Sequence, residues 1–216
     1  MRGVIRFARP YLTPRMAVGY LGIGLPFVLA AGNRLFFAGG MEPSVSDYFY
    51  SHMRGVLVVS LCVFGAYLLA ERGRDRRERL LTKMAGIGAA GVALFPAPPS
   101  HPSAWATMVG YGHLASGTLL FSSLAVIVLW LFRRANPDSA RARFRRLTNR
   151  IHLSCGITMV TTLALTGLAA LPLAAGLDPM HPVFWMETAS IAAFGISWLV
   201  RGRMPLIAAP LLARGG

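Results

Sequence analysis

The positively charged residues of this chain lie almost entirely on one side of six apolar segments. Twenty of the 22 Lys and Arg residues fall in four clusters, which precede the first apolar segment and follow the second, fourth and sixth. Arg34 and Arg54 are the exceptions. Because Lys and Arg collect in cytoplasmic loops, the pattern predicts a multi-pass protein of the inner (cytoplasmic) membrane with both termini in the cytoplasm.

The composition agrees with this interpretation. Hydrophobic residues make up 55% of the chain and charged residues 14%, which is not typical of a soluble domain of this size. A net charge of +14 is also found in nucleic-acid-binding proteins. Here the positive residues lie in short loops beside apolar segments. We therefore expect membrane lipids as partners, with anionic headgroups at the cytoplasmic face, and no nucleic acid.

The apolar segments are long enough to cross a bilayer, which takes about 20 mostly apolar residues per helix. Backbone groups within hydrocarbon must be paired inside the protein, so each segment is expected to be a helix. The sequence predicts an all-α, six-helix transmembrane domain over residues 1–203, followed by a short apolar tail at 204–216. The predicted spans are 16–36, 54–71, 80–97, 105–132, 151–174 and 183–200. The third is rich in small residues and is expected at the centre of the bundle.

Three ionisable residues are predicted to lie in the outer half of the membrane or at its outer surface. Arg54 begins the second span, His113 lies eight residues into the fourth, and Glu187 lies four residues into the sixth. Such groups are costly in a bilayer and usually have a partner or a function. One interpretation is an outward-facing polar pocket, in its sharpest form an Arg54–Glu187 ion pair with His113 alongside. The other is a polar clamp that only holds helices together.

Several neighbours extend this candidate site. Ser190 shares a helix face with Glu187, and Tyr50 belongs to an aromatic outer loop, so both are candidate ligand-binding residues with Arg54, His113 and Glu187. Ser116 lies one turn from His113. His113, Glu187 and Ser116 therefore supply the residue types of a hydrolytic site, although Ser and His on adjacent turns seldom align for catalysis.

Four of the five histidines are predicted to face outward. They are His52, His101, His113 and His181. Zinc takes three or four nitrogen, sulfur or oxygen ligands, so these residues are candidate zinc ligands. Their spacing, however, has no metal-binding signature. The fifth, His152, is predicted to lie alone at the inner end of the fifth span, in an interfacial role.

The order of several motifs resembles a family of small bacterial six-helix membrane proteins of unknown function. The resemblance covers about residues 40–203 and depends on the segments 44–55, 91–96, 149–156, 184–187 and 194–202, together with His113. It implies the six-helix fold and a polar outer site, but no reaction. The family has an acidic residue after the arginine where this chain has Gly55, which leaves Glu187 as the acidic candidate to pair with Arg54.

A remoter likeness is to the membrane hydrolases that include alkaline ceramidases and progestin-type receptors. That likeness implies a zinc amidase, but this chain is one helix short and has no histidine pair in its last helix. The sequence thus favours a pocket that binds a lipid or other amphiphile. A membrane-embedded, metal-dependent hydrolase, a transporter or channel, and a structural partner subunit are the alternatives.

Overall fold

A computed structural model describes residues 14–73, 75–99, 102–132, 142–169 and 180–212, of which 142–145, 169 and 203–212 are described for their backbone only. This part of the chain is all-helical and has no strand, which confirms the predicted all-α class. The helices are α1 (Pro14–Phe37), α2 (Arg54–Ala70), α3 (Arg76–Leu94), α4 (Ala104–Val126), α5 (Ala142–Ala169) and α6 (Pro182–Leu212). A π-helical turn, Ile127–Leu131, extends α4, and a 3₁₀ turn, Ser46–Tyr50, lies in the loop before α2.

Among the residues that the structure describes, four helical segments are long and apolar enough to cross a membrane, so the chain is a membrane protein. They are Pro14–Phe37, Ala104–Leu131, Arg146–Leu168 and Pro182–Gly202. The helices α2 and α3 do not meet this criterion, for different reasons. α2 is apolar but has only 17 residues, and α3 opens with charged residues that lower its mean hydropathy.

Several boundaries differ from the predicted spans. α3 begins and ends a few residues earlier than predicted, since Asp75 caps it by accepting a hydrogen bond from the Glu78 N–H (2.8 Å). α5 begins at Ala142, ahead of the predicted residue 151, and the predicted end at 174 lies outside the described residues. α6 continues through Pro205 to Leu212, so the helix does not break at residue 204, where the separate tail was predicted to begin.

The helices pack as two layers of three. In one layer α3 lies between α2 and α4, and in the other α6 lies between α1 and α5. Small residues make the closest approaches: a Cβ at Gly88 would lie 2.6 Å from the Leu120 backbone nitrogen, and one at Gly195 would lie 2.6 Å from the Gly19 carbonyl oxygen. The small-residue helix α3 therefore occupies the middle of one layer, not the centre of the whole bundle.

Aromatic side chains pack between the layers. Trp198 is buried against Phe132 and Phe194 in the half of the bundle that the charge pattern predicts to be the inner one. At the opposite end, which the charge pattern predicts to be the outer one, the loop that contains the 3₁₀ turn folds over the helices, and its Tyr48 is completely buried beside Phe184. The outer loop thus closes the bundle, and the candidate site lies directly beneath it.

Candidate functional site

A cavity of about 80 Å³ lies between the two layers, beneath the outer loop. Its walls are almost entirely apolar. The polar side chains that reach it belong to Ser46, Ser60 and Glu187. The apolar lining comes from α1, the outer loop, α2, α3, α4 and α6, and consists of Leu21, Gly22, Leu25, Val45, Leu57, Leu61, Phe64, Val92, Leu120, Phe121, Leu124, Ile191 and Phe194.

Glu187 holds the outer loop on α6. Its Oε2 accepts a hydrogen bond from the Val45 N–H at 2.8 Å, and the Ser46 N–H also interacts with this carboxyl group. One turn earlier, the Phe184 N–H donates to the Pro43 carbonyl oxygen at 3.0 Å. The start of α6 and the outer loop are therefore joined by polar contacts that leave the Glu187 side chain at the cavity wall.

The loop segment that faces Glu187 is itself fixed by a reciprocal pair. The Ser44 hydroxyl donates to Asp47 Oδ2 at 2.8 Å, and the Asp47 N–H donates back to Ser44 Oγ at 3.0 Å. Asp47 also acts electrostatically on Glu187 and on Glu42. Burial raises the pKa of Glu42 above its ordinary value, and the charge of Asp47 raises it further. Asp47 and Glu42 thus lie near the Glu187 end of the cavity, although neither lines it.

His113 lies beside a second, smaller cavity of about 10 Å³. Its Nδ1 is 2.8 Å from the Phe95 carbonyl oxygen. A carbonyl only accepts, so Nδ1 carries the hydrogen, and in the neutral ring Nε2 is then the acceptor. The two cavities share Ser46, Leu57, Leu61 and Val92 in their walls. His113 and Glu187 therefore lie on neighbouring cavities separated by one layer of side chains.

Arg54 does not reach Glu187. Its side chain is exposed, and its guanidinium carbon lies 3.9 Å from the centre of the Phe49 ring. Within the described part of the chain, the expected Arg54–Glu187 ion pair is not formed, because the carboxylate takes backbone donors from the outer loop instead. Phe49 lines the smaller cavity, so Arg54 is placed at the rim of the site.

The other candidate ligand-binding and catalytic residues make local contacts. The Tyr50 hydroxyl donates to the Ala97 carbonyl oxygen at 2.6 Å, and Ser190 is buried with no hydrogen-bond partner among the described residues. Neither residue lines either cavity. The Ser116 hydroxyl donates to the Gly112 carbonyl oxygen in its own helix at 2.7 Å. The structure therefore does not join Ser116 to His113 as a nucleophile to its base.

The outer histidines are dispersed. The His52 ring stacks on Phe37 with a centroid distance of 4.7 Å, and His181 adopts a positive φ of 49° just before α6. His101 lies outside the described residues. Across the ranges that the structure describes, no three His, Cys, Asp or Glu side chains lie close enough together to hold a metal ion.

Comparison of the chain with protein-family models, with curated proteins and with solved structures gives no match. The resemblance to a six-helix family of unknown function accordingly stays a prediction from motif order. The interpretation of the site depends on its geometry alone.

A second polar cluster lies at the inner half of the bundle and was not predicted. His152 Nδ1 lies 2.7 Å from Ser197 Oγ, and both residues are buried. The buried Arg201 guanidinium lies 5.0 Å from the centre of the Phe132 ring. Ser197 shares a face of α6 with Glu187 at three- and four-residue steps, and that spacing was the one sequence signal for a polar partner at this depth.

An ion pair joins α1 to the end of α2 nearby. Arg15 Nη2 lies 2.7 Å from Glu71 Oε1, and the Tyr67 hydroxyl donates to Glu71 Oε2 at 2.8 Å. Burial alone would raise the pKa of Glu71, but the hydrogen bonds from Arg15 and Tyr67 hold it below its ordinary value. This contact was also missed, because Arg15 was read only as one of a cluster of cytoplasmic charges.

Proposed function

We propose that this chain is an inner-membrane protein of six transmembrane helices whose outward-facing pocket binds a lipid or other amphiphile. Both termini lie in the cytoplasm in this proposal. The distribution of Lys and Arg supports that orientation, and it puts the Glu187 end of the bundle outside. At about 1.5 Å per residue, the 17 residues of α2 extend roughly 25 Å, close to the hydrocarbon thickness of about 30 Å.

The observation that carries the proposal is an apolar cavity with a carboxyl group at its wall. Protein interiors are close-packed, so a void of this size between helices is unusual. Its volume of about 80 Å³ is roughly half that of an engineered cavity of about 150 Å³ that binds benzene. It therefore has room for a short stretch of one alkyl chain, with the rest of the ligand lying between helices or in the bilayer.

A structural role is the second candidate, and one contact favours it. The Val45–Glu187 hydrogen bond ties the outer loop to α6 without any ligand. A polar clamp of this kind would explain why Glu187 is present, but it would not explain the cavity beside it. The two candidates thus differ in whether the cavity is used.

Native mass spectrometry of protein released from mild detergent separates them. We expect the wild-type chain to retain lipid and the Ile191→Phe variant, whose larger side chain fills the cavity, to lose it. Ile196→Phe is the matched control, since Ile196 lies on the same helix but is exposed. Equal lipid retention in the two variants would exclude the cavity as the binding site, and bare wild-type protein would favour the structural role.

A further inference from the structure

The polar groups around the cavity are mainly hydrogen-bond acceptors. Glu187 lies in the wall of the larger cavity, and its carboxyl group accepts from the outer loop at that wall. His113 uses its Nδ1 hydrogen on the Phe95 carbonyl, so its remaining nitrogen, Nε2, is an acceptor beside the smaller cavity. Ser46, which lines both cavities, and Ser60, which lines the larger one, each carry a hydroxyl that both donates and accepts. A ligand that supplies donors fits this arrangement better than one that supplies acceptors.

The charged residues near the site also favour a ligand that supplies hydrogen-bond donors. Glu187 is the carboxyl group that lines the cavity, and Asp47 acts on it and on Glu42, which also interacts with His181. Arg54 is exposed and stacks on Phe49, and among the described residues no cation pairs with Glu187. An anionic headgroup would be repelled at the cavity, whereas a cation would be attracted.

The head of the ligand should decide selectivity, because its tail cannot. An alkyl chain that moves from lipid into an apolar cavity exchanges one hydrocarbon environment for another, so it gains little from the hydrophobic effect. A hydrogen bond to a charged partner is shorter and about twice as strong as a neutral one. A primary ammonium offers three donors and a positive charge in a compact group.

We propose that the ligand of this site is an amphiphile with a primary amine head, bound at the Glu187 carboxylate with its first carbons in the apolar cavity. This inference rests on the proposed function and names the ligand class for the same site. His113 lies in the neighbouring cavity, behind the shared wall, and is not a direct partner of the amine head. Arg54, the cationic candidate ligand-binding residue, lies at the rim of the site, where it stacks on Phe49.

A competition binding assay on the purified full chain tests the preference for the head group. Radiolabelled dodecylamine is bound and detected by scintillation proximity, and dodecanol and dodecanoate, which have the same chain length, are the competitors. We expect dodecylamine to bind at least about ten-fold more tightly than dodecanol, as one hydrogen bond to a charged group provides. Dodecanoate should bind most weakly. In Glu187→Gln, whose side-chain carbonyl still accepts from Val45, the preference for the amine over the alcohol should fall to within about three-fold.

Two further variants distinguish a failure of the proposed function from a failure of the amine inference alone. Ile191→Phe should weaken all three probes if the cavity is the site. Asp47→Asn removes charge near Glu187 without removing that carboxylate, so it should reduce amine preference even if Glu187→Gln does not fold. Failure of all probes to bind, or no effect of Ile191→Phe, would overturn the proposed function. Cavity-dependent binding with equal affinities, or with dodecanoate tightest, would overturn only the amine inference.

Discussion

Replacing Glu187 by alanine removes the acceptor that holds the Val45 amide, and the effect on that amide can be calculated. The hydrogen bond is 2.8 Å long and goes to a carboxyl oxygen. Hydrogen bonds to charged groups contribute about 1.5–3 kcal/mol, so local opening of the loop should become about 10- to 150-fold more frequent. Hydrogen–deuterium exchange with mass spectrometry, on protein in detergent, should show faster exchange in peptides that cover Val45.

Two variants provide the comparison. Glu187→Gln retains an uncharged acceptor, so its exchange should lie between those of the wild type and Glu187→Ala. Thr188→Ala removes the neighbouring hydroxyl, which has no hydrogen-bond partner in the described part of the chain, and should leave Val45 unchanged. If Val45 exchanges at the wild-type rate in Glu187→Ala, the reasoning is refuted, and the loop is held by the buried Tyr48 and its packing against Phe184 instead.

Two predictions concern stability, measured as the thermal midpoint of unfolding in detergent. Gly195→Ala should destabilise the fold by about 1–3 kcal/mol, since its Cβ would overlap the α1 backbone, whereas Gly167→Ala, with nothing within 4 Å, should not. Glu71 has a lowered pKa in the folded chain, so its ionised form stabilises the fold. This contribution to the free energy of unfolding is complete above the unfolded pKa of about 4.5 and is lost as the pH falls through the lower folded pKa. The difference in midpoint between wild type and Glu71→Gln should therefore be largest near neutral pH and shrink below about pH 4.5; a constant difference would contradict the ion-pair geometry.

The all-helical fold was largely predictable because the sequence patterns that indicate it extend over many residues. Runs of apolar residues and clusters of Lys and Arg identify the helices and their order without knowledge of any single contact. The aromatic composition of the outer loop is consistent with its position over the end of the bundle, where Tyr48 is buried. On the fifth helix, the Thr162 hydroxyl donates to the Thr158 carbonyl oxygen at 2.8 Å, which is the usual partner of a threonine within a membrane helix.

The site was less predictable because its contacts join side chains to backbone groups. Glu187 bonds to the amide of Val45, 142 residues away, and His113 to the carbonyl of Phe95. Every residue carries an amide and a carbonyl, so sequence gives no sign of which one a side chain will meet. Pairing Glu187 with Arg54 followed from charge alone, and it could not anticipate that Arg54 would stack on Phe49.

The identity of residue 187 distinguishes a tether from a binding site. A carboxyl group removed from water costs more than an amide or hydroxyl, and a neutral side chain such as Gln could accept the same hydrogen bond from Val45. At the inner half of the bundle, His152 and Ser197 satisfy one another and are covered by aromatic rings, whereas Glu187 borders a cavity. A tether alone therefore does not require a carboxylate at this position. A cationic ligand does, because only a carboxylate supplies the opposite charge, and the comparison of Glu187→Gln with wild type separates these two roles.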